Sequence, residues 1–293
     1  MTEFLTTKEV AKLLRIKERK VYDLAASGSL PCSKAMGKLL FQRTAIDRWL
    51  AGDQEPAAGA FETGRPIPNV LLGSHDPLLD WALTESQCGI ASCYDGSLDG
   101  IQRFLNREGL ATGLHVFDPK TETWNTSIVQ QHFGQSPVVS IEWAIRQRGL
   151  IIAKSDLRSI AGIEDLAGRR FTPRQVGSGA QHLFEHLAAL SDLDLQALKL
   201  TPAARTETDC ALAVLTGKAD AAFGLAAIAA QYKLGFVPVL AERFDLVIDR
   251  RAYFDAPLQM LFAFCQGKAF AAKAKEFIGY DLDGRGRVQF NGP

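Results

Sequence analysis

From Val70 onward, strand-length apolar runs alternate with helix-length amphipathic runs, and this alternation restricts the fold more than any other feature of the chain. "NVLLGSHDPLLDWAL" reads as a short strand, a loop and an amphipathic helix, and "GIASCYDGSLDGIQRFLNREG" repeats that plan. "GLHVFD" reads as a strand, and "VVSIEWAIRQRGLIIAK" as a helix followed by a strand that ends before Lys154. "RRFTPRQVGSGAQHLFEHLAALSDL" is again strand, loop and helix, and "TDCALAVLTGKADAAFGLAAIAAQYKLGFVPV" is helix, turn, strand, helix and strand. Strands alternating with helices indicate an α/β fold on a parallel sheet. In such sheets ligands collect beyond the carboxyl ends of the strands.

Three of the strand-to-helix loops use the same small polar residues: Gly73-Ser74-His75-Asp76, Asp95-Gly96-Ser97 and Gly177-Ser178-Gly179. Each places backbone N–H groups and a hydroxyl at the start of a helix, where the dipole carries about half a positive charge. Helix starts converging on one point can hold an anion with almost no help from lysine or arginine. The order Gly73-Ser74-His75-Asp76, Gly96-Ser97-Leu98-Asp99-Gly100, Asp118-Pro119 with Trp124-Asn125, Gln147-x-Gly149-Leu150, Arg174-Gln175-x-Gly177-Ser178-Gly179, Gly217-Lys218-Ala219-Asp220-Ala221 and Glu242-Arg243-Phe244-Asp245-Leu246 resembles the type II periplasmic-binding-protein fold. More closely, it looks like the cytoplasmic PBP-like domain related to molybdate- and tungstate-binding proteins. The resemblance implies two lobes, one of residues 70–150 with 240–293 and the other of residues 151–239, with a ligand in the cleft. By position Ser74, Ser97 and Ser178 face the cleft, with His75, Gly96, Gly177 and Gly179 in the same loops. Asp76 is either a helix-end residue or a contact, and Asn125 and Arg174 are further candidates. Where relatives are expected to carry Thr-Arg after Gly-Ser-Gly, this chain has Ala180-Gln181, which leaves a small organic acid or a nitrogenous metabolite as alternatives to an oxyanion.

The first fifty residues follow other rules. In "LTTKEVAKLLRIKERKVYDLAASGSL", Thr6 or Thr7 can cap a helix whose apolar positions are Val10, Ala11, Leu13 and Leu14. A break near Arg15-Ile16 leads to a second helix that buries Val21, Leu24 and Ala25 and stops at Gly28. Next, "PCSKAMGKLLFQ" has the pattern of a β-hairpin, and "RTAIDRWLAG" that of a third short helix with Ile46, Trp49 and Leu50 inward. Thr7-Lys8-Glu9-Val10-Ala11, Val21-Tyr22, Gly28-Ser29-Leu30-Pro31, Phe41 and Ile46 with Trp49-Leu50 resemble the winged helix-turn-helix of the excisionase and MerR type. That resemblance implies a recognition helix over residues 17–27 in a DNA major groove, with Lys17, Arg19, Lys20 and Tyr22 toward the bases and Lys34, Lys38 and Arg43 toward phosphates. A single such module covers little DNA, so a homodimer on a two-part operator is expected.

Charge agrees with this division. The total is zero, yet residues 1–52 carry ten Lys and Arg against five Asp and Glu, a net of +5 that leaves −5 for the remainder. Residues 53–69, rich in Gly, Pro and Ala, read as a linker in which Phe61 is a possible anchor. Domains behind a module of this kind are found in one-component regulators of molybdate or tungstate handling, and the order here is that order. The expectation is therefore a cytoplasmic, ligand-responsive DNA-binding regulator that needs no cofactor and is not an enzyme.

The competing reading is catalysis, either a zinc hydrolase or a step of molybdenum-cofactor assembly. His182-x-x-Glu185-His186 has the spelling of an inverted zinc-peptidase motif. A zinc site also needs a third ligand, which nothing downstream singles out, and Leu183, Phe184 and Leu187 already give that helix a core-facing side. The five cysteines are odd in number and contain no Cys-x-x-Cys, so neither a disulfide nor a structural metal is expected. No apolar run has the length of a membrane span.

Overall fold

The computed structural model describes residues 4–14, 16–26, 30, 32–35, 38–43, 46 and 67–293. The chain divides into two compact units, Met1–Ala60 and Phe61–Pro293. Most of the expected linker, together with Trp49 and Leu50, lies outside the described residues.

In the first unit, strand β1 (Phe4–Thr6) leads straight into α1 (Thr7–Leu14), and α2 (Glu18–Ala26) follows. Thr6 and Glu9 form a reciprocal capping box: the Thr6 N–H donates to Glu9 Oε2 at 2.7 Å, and the Glu9 N–H to Thr6 Oγ1 at 3.4 Å. Strands β2 (Ser33–Ala35) and β3 (Lys38–Gln42) make the expected hairpin, and β1, absent from the sequence reading, pairs β3 on its other edge. Leu5, Val10, Ala11, Val21, Leu30, Phe41 and Ile46 close a core of their own.

The second unit is a two-lobed α/β body. Its elements in order are β4 (Val70–Gly73), α3 (Pro77–Ser86), β5 (Ala91–Tyr94), α4 (Ser97–Leu105), β6 (Ala111–Leu114), the small pair β7 (Phe117–Asp118) and β8 (Thr123–Trp124), and α5 (Thr126–Phe133). There follow β9 (Val138–Ile152), β10 (Arg170–Thr172), α6 (Gly179–Leu190), β11 (Lys199–Leu200), α7 (Glu207–Leu215), β12 (Ala221–Leu225), α8 (Ala226–Gln231) and β13 (Gly235–Asp249). The chain ends with α9 (Ala256–Cys265), α10 (Lys268–Ala274), β14 (Tyr280–Asp281) and β15 (Val288–Asn291).

One sheet threads the whole unit in the order β11-β10-β12-β9-β13-β6-β4-β5. Pairing is parallel within each lobe, among β5, β4 and β6 and among β11, β10 and β12. At the centre the expectation of an all-parallel sheet fails. β9 and β13, each of 15 residues, pair antiparallel and run through both lobes. The expected helix at the start of "VVSIEWAIRQRGLII" is thus the first half of β9. Two bulges in β13, between Pro238 and Leu240 and between Phe244 and Asp245, bend that strand where it passes from lobe to lobe.

Helices cover both faces of each lobe's sheet. Leu71 and Leu72, adjacent in β4, go to different clusters, one with Leu78, Leu79 and Ala82 of α3, the other with Ile101 and Phe104 of α4. In the second lobe Leu150 and Ile152 pack with Leu183 and Phe184 of α6, while Ile151 packs with Cys210, Ala211 and Val214 of α7.

Candidate ligand site between the lobes

The three serine loops meet. The Ser74 and Ser97 hydroxyls are 2.8 Å apart, both buried, and Ser97 Oγ also accepts the His115 N–H at 3.3 Å. Whichever serine donates in that pair, one hydroxyl hydrogen stays uncommitted. The loops are braced from behind, where Gly96 N–H donates to the Gly73 carbonyl at 3.1 Å and Ser74 N–H to the Gly113 carbonyl at 2.9 Å.

The loop of the second lobe presses on the same point. A Cβ at Gly179 would stand 3.2 Å from Ser97 Oγ and 2.6 Å from the His115 carbonyl oxygen, and one at Gly96 would stand 3.4 Å from Ser178 Cα. The N-termini of α4 and α6, one from each lobe, therefore abut. The first N–H groups of a helix have no intrahelical acceptor and carry its positive end, so two such ends in contact favour a negative charge between them. Ser178 is the N-cap of α6, its hydroxyl accepting the Gln181 N–H at 3.3 Å. Gly177 holds φ +83° in the turn before it.

Other expected contacts have different partners. Asp76 is fully buried and caps α3 through the Leu79 N–H at 2.8 Å. It accepts as well from Trp143 Nε1 at 3.0 Å, Arg146 at 2.8 Å and the Tyr280 hydroxyl at 2.7 Å, which fills both its oxygens. Asn125, at φ +60°, accepts from the Val116 N–H and donates to the Arg243 carbonyl and Asp245, so the protein uses both ends of its amide. His75 points at Tyr94, ring centroids 5.2 Å apart, and lines a groove with Asp80, Thr208 and Lys273 that contains none of the three serines. Burial lowers its pKa. Gln181, in place of the arginine expected of relatives, accepts the Arg174 N–H and donates to Glu185.

Behind the serines lies a buried ion chain that the sequence reading missed. Arg146 and Arg148, two apart on β9 and hence on one face, are both 0% exposed. Arg146 pairs with Asp76 and with Glu242 of β13. Arg148 pairs with Glu242 at 2.6 Å and with Glu207 of α7 at 2.8 Å, and Glu207 takes Arg174 at 2.8 Å. Three guanidiniums thus balance three carboxylates. Burial pushes the Glu207 carboxyl up, but Arg148 and Arg174 outweigh it and bring its pKa to about 2. Glu242 lies well below the usual carboxylate range because Arg146, Arg148 and His115 overcome its burial. Arg174 is therefore tied into this chain, and in front the exposed Arg205 stands 3.9 Å from Asp95 of the Ser97 loop, so the expectation of a site nearly without arginine does not hold. His115 joins the two systems, its Nδ1 3.1 Å from Glu242 Oε2 and its ring stacked on Phe244.

The His182-x-x-Glu185-His186 stretch lies on α6 beyond this point. The His182 side chain is half exposed, 3.9 Å from Glu185, whereas His186 packs on Phe117. Among the described residues no three of His, Cys, Asp and Glu are grouped to hold a metal ion. No helix among them is long and apolar enough to cross a membrane.

Residues 81–266 match the PBP superfamily domain. The chain belongs to that family. Residues 4–54 match a helix-turn-helix domain, so a helix-turn-helix precedes the PBP domain on one chain. The uncharacterized protein YvgK of Bacillus subtilis (strain 168) is 25% identical, with 98% of each chain covered. A putative phosphate ABC transporter substrate-binding protein from Clostridium perfringens, solved with bound phosphate, shares the fold at TM-score 0.50 and 11% identity, over 71% of this chain and 97% of its own. An ancestral amino acid-binding protein, a precursor of cyclohexadienyl dehydratase, is similar at TM-score 0.47 and 14% identity, over 71% of this chain and 93% of its own.

Proposed function

We propose that the protein is a ligand-responsive DNA-binding regulator whose C-terminal unit senses a small oxyanion, molybdate or tungstate first among candidates. The observation that carries the ligand class is the contact between the N-termini of α4 and α6, with the Ser74 and Ser97 hydroxyls 2.8 Å apart beside it. Backbone N–H groups and a free hydroxyl hydrogen bind an oxyanion without requiring a cation. Because the two loops already touch, a ligand held between them is small, and the lobes part to admit it. The phosphate bound by the Clostridium perfringens protein supports the oxyanion class, while molybdate follows from the sequence resemblance alone.

In this reading Ser74, Ser97, Ser178 and the amides of Gly96, Gly177 and Gly179 form the ligand cradle. Arg174, Asp76 and Asn125 support it from behind. Lys17, Arg19, Lys20 and Tyr22 meet an operator, with Lys34, Lys38 and Arg43 on its phosphates, and a homodimer reads two half-sites. A thermal-shift panel of molybdate, tungstate, sulfate, phosphate and small organic acids tests the ligand class. A true ligand at a hundred times its Kd stabilises by about 2.7 kcal/mol. Ser97→Ala should remove most of that shift. An unchanged shift would remove the serine cluster from the site, and a response to organic acids alone would reassign the class.

A further inference from the structure

An oxyanion held by Ser74 and Ser97, as proposed, brings charge into a region whose other charges are already balanced. Arg146, Arg148 and Arg174 stand against Asp76, Glu207 and Glu242, and both oxygens of each carboxylate have donors within the chain. None of these three guanidiniums can turn to the anion without leaving a buried carboxylate uncompensated, which is costly. The titratable group that touches both systems is His115. Its backbone N–H reaches Ser97 Oγ, its carbonyl lies under Gly179 of α6, and its ring reaches Glu242. The charged groups acting on that ring are Glu242 from β13 and Arg146 and Arg148 from β9, with Phe244 stacked on one face.

We infer that His115 is the proton partner of the bound anion: closure of the lobes on an oxyanion draws a proton from solvent onto the imidazole, and anion and proton bind together. Ionised Glu242 fixes the resting tautomer with hydrogen on Nδ1, so Nε2 is the nitrogen that takes the proton. Burial lowers the pKa of His115 and Glu242 only partly opposes it, which leaves the ring neutral in the empty site. A negative charge arriving against its own backbone supplies what the balanced chain cannot. The consequence is a ligand affinity that rises as pH falls, set by a residue that does not itself donate to the ligand.

Calorimetry of the full chain with sodium molybdate near neutral pH, repeated in buffers of different ionisation enthalpy, counts the protons. The expected result is uptake approaching one proton per anion in the unmodified chain, lost in His115→Gln, whose amide can still donate to Glu242. Binding heat independent of the buffer overturns the inference, as does undiminished uptake in His115→Gln or its disappearance in His75→Gln alone. Should His115→Gln fail to fold, the unmodified chain still decides the matter. One coupled proton tightens Kd by up to about tenfold per pH unit of acidification through the neutral range, and a flat profile rejects it. If no oxyanion of the panel gives heat, the anion reading falls and this inference with it, an outcome distinct from heat without proton uptake.

Discussion

Glu207 shows what a single buried charge does here. Its pKa in the fold is about 2 against an ordinary 4.5, so the folded state binds its proton less tightly than the unfolded chain does. The corresponding stability is fully present above about pH 4.5 and is lost as pH falls through the folded value, and a shift of this size corresponds to about 3 kcal/mol. Glu207→Gln should therefore flatten the acid limb of the stability profile. At neutral pH it should cost about 3–5 kcal/mol, since Arg148 and Arg174 are left without their shared anion. Urea midpoints across pH measure both, and an unchanged acid limb would mean that other groups govern acid unfolding. Asp245 acts with the opposite sign: burial pushes it up to about 6 despite Arg243 and Asn125, so its contribution is lost as pH rises through that value. At this scale the sequence was legible for the serine turns and opaque for Arg146 and Arg148. Ser74, Ser97 and Ser178 sit in turns whose chemistry is local. Arg146 and Arg148 owe their role to Glu242, nearly a hundred positions away, and nothing local in "IRQRG" distinguishes a buried guanidinium from a solvated one.

Among the elements, glycine decides how closely helix and strand approach. A Cβ on Gly100, inside α4, would stand 2.3 Å from Gly73 Cα and 2.5 Å from Thr112 Oγ1, so backbone would have to move. Gly100→Ala should push α4 off β4, cost about 1–3 kcal/mol, and weaken the proposed oxyanion binding because Ser97 rides on that helix. Gly177 differs: a Cβ there meets nothing within 4 Å, and only its φ of +83° resists substitution. Gly177→Ala should cost about 1–2 kcal/mol, with most of the ligand response retained. Melting temperatures and thermal-shift responses of the two variants separate close approach from backbone strain, and equal ligand losses would contradict the separation. The Gly-Ser loops, α4 and α6 were readable because turn residues and apolar periodicity agree there. β9 was not, since a strand buried on both faces loses its alternation of polar and apolar residues, and Glu142, Ala144, Arg146, Gln147 and Arg148 are good helix formers. Tertiary pairing with β13 along its whole length overrides that preference.

The molecule as a whole pairs a basic N-terminal unit with an acidic ligand-binding unit, each with its own core. The two have separable tests. Lys17, Arg19 and Lys20 are exposed at the start of α2, and Tyr22 is 52% exposed beside them. A contact to phosphate reports itself in the salt dependence of binding, each one lost reducing the slope by about 0.9, whereas a base-edge contact costs about 1–3 kcal/mol at its own position. Alanine at Lys17, Arg19 and Lys20 in turn, measured by anisotropy on operator DNA at several salt concentrations, should sort these residues into the two kinds and leave the oxyanion thermal shift untouched. The reverse dissociation should hold for Ser97→Ala, which keeps DNA affinity without ligand and loses the ligand's effect on it. Regulation requires only that oxyanion change DNA affinity by a coupling of about 1–3 kcal/mol, and by reciprocity operator DNA must change oxyanion affinity by the same factor. Calorimetric titration of oxyanion with and without saturating operator measures that factor directly. If the two affinities are identical, the chain binds both partners and regulates neither through the other.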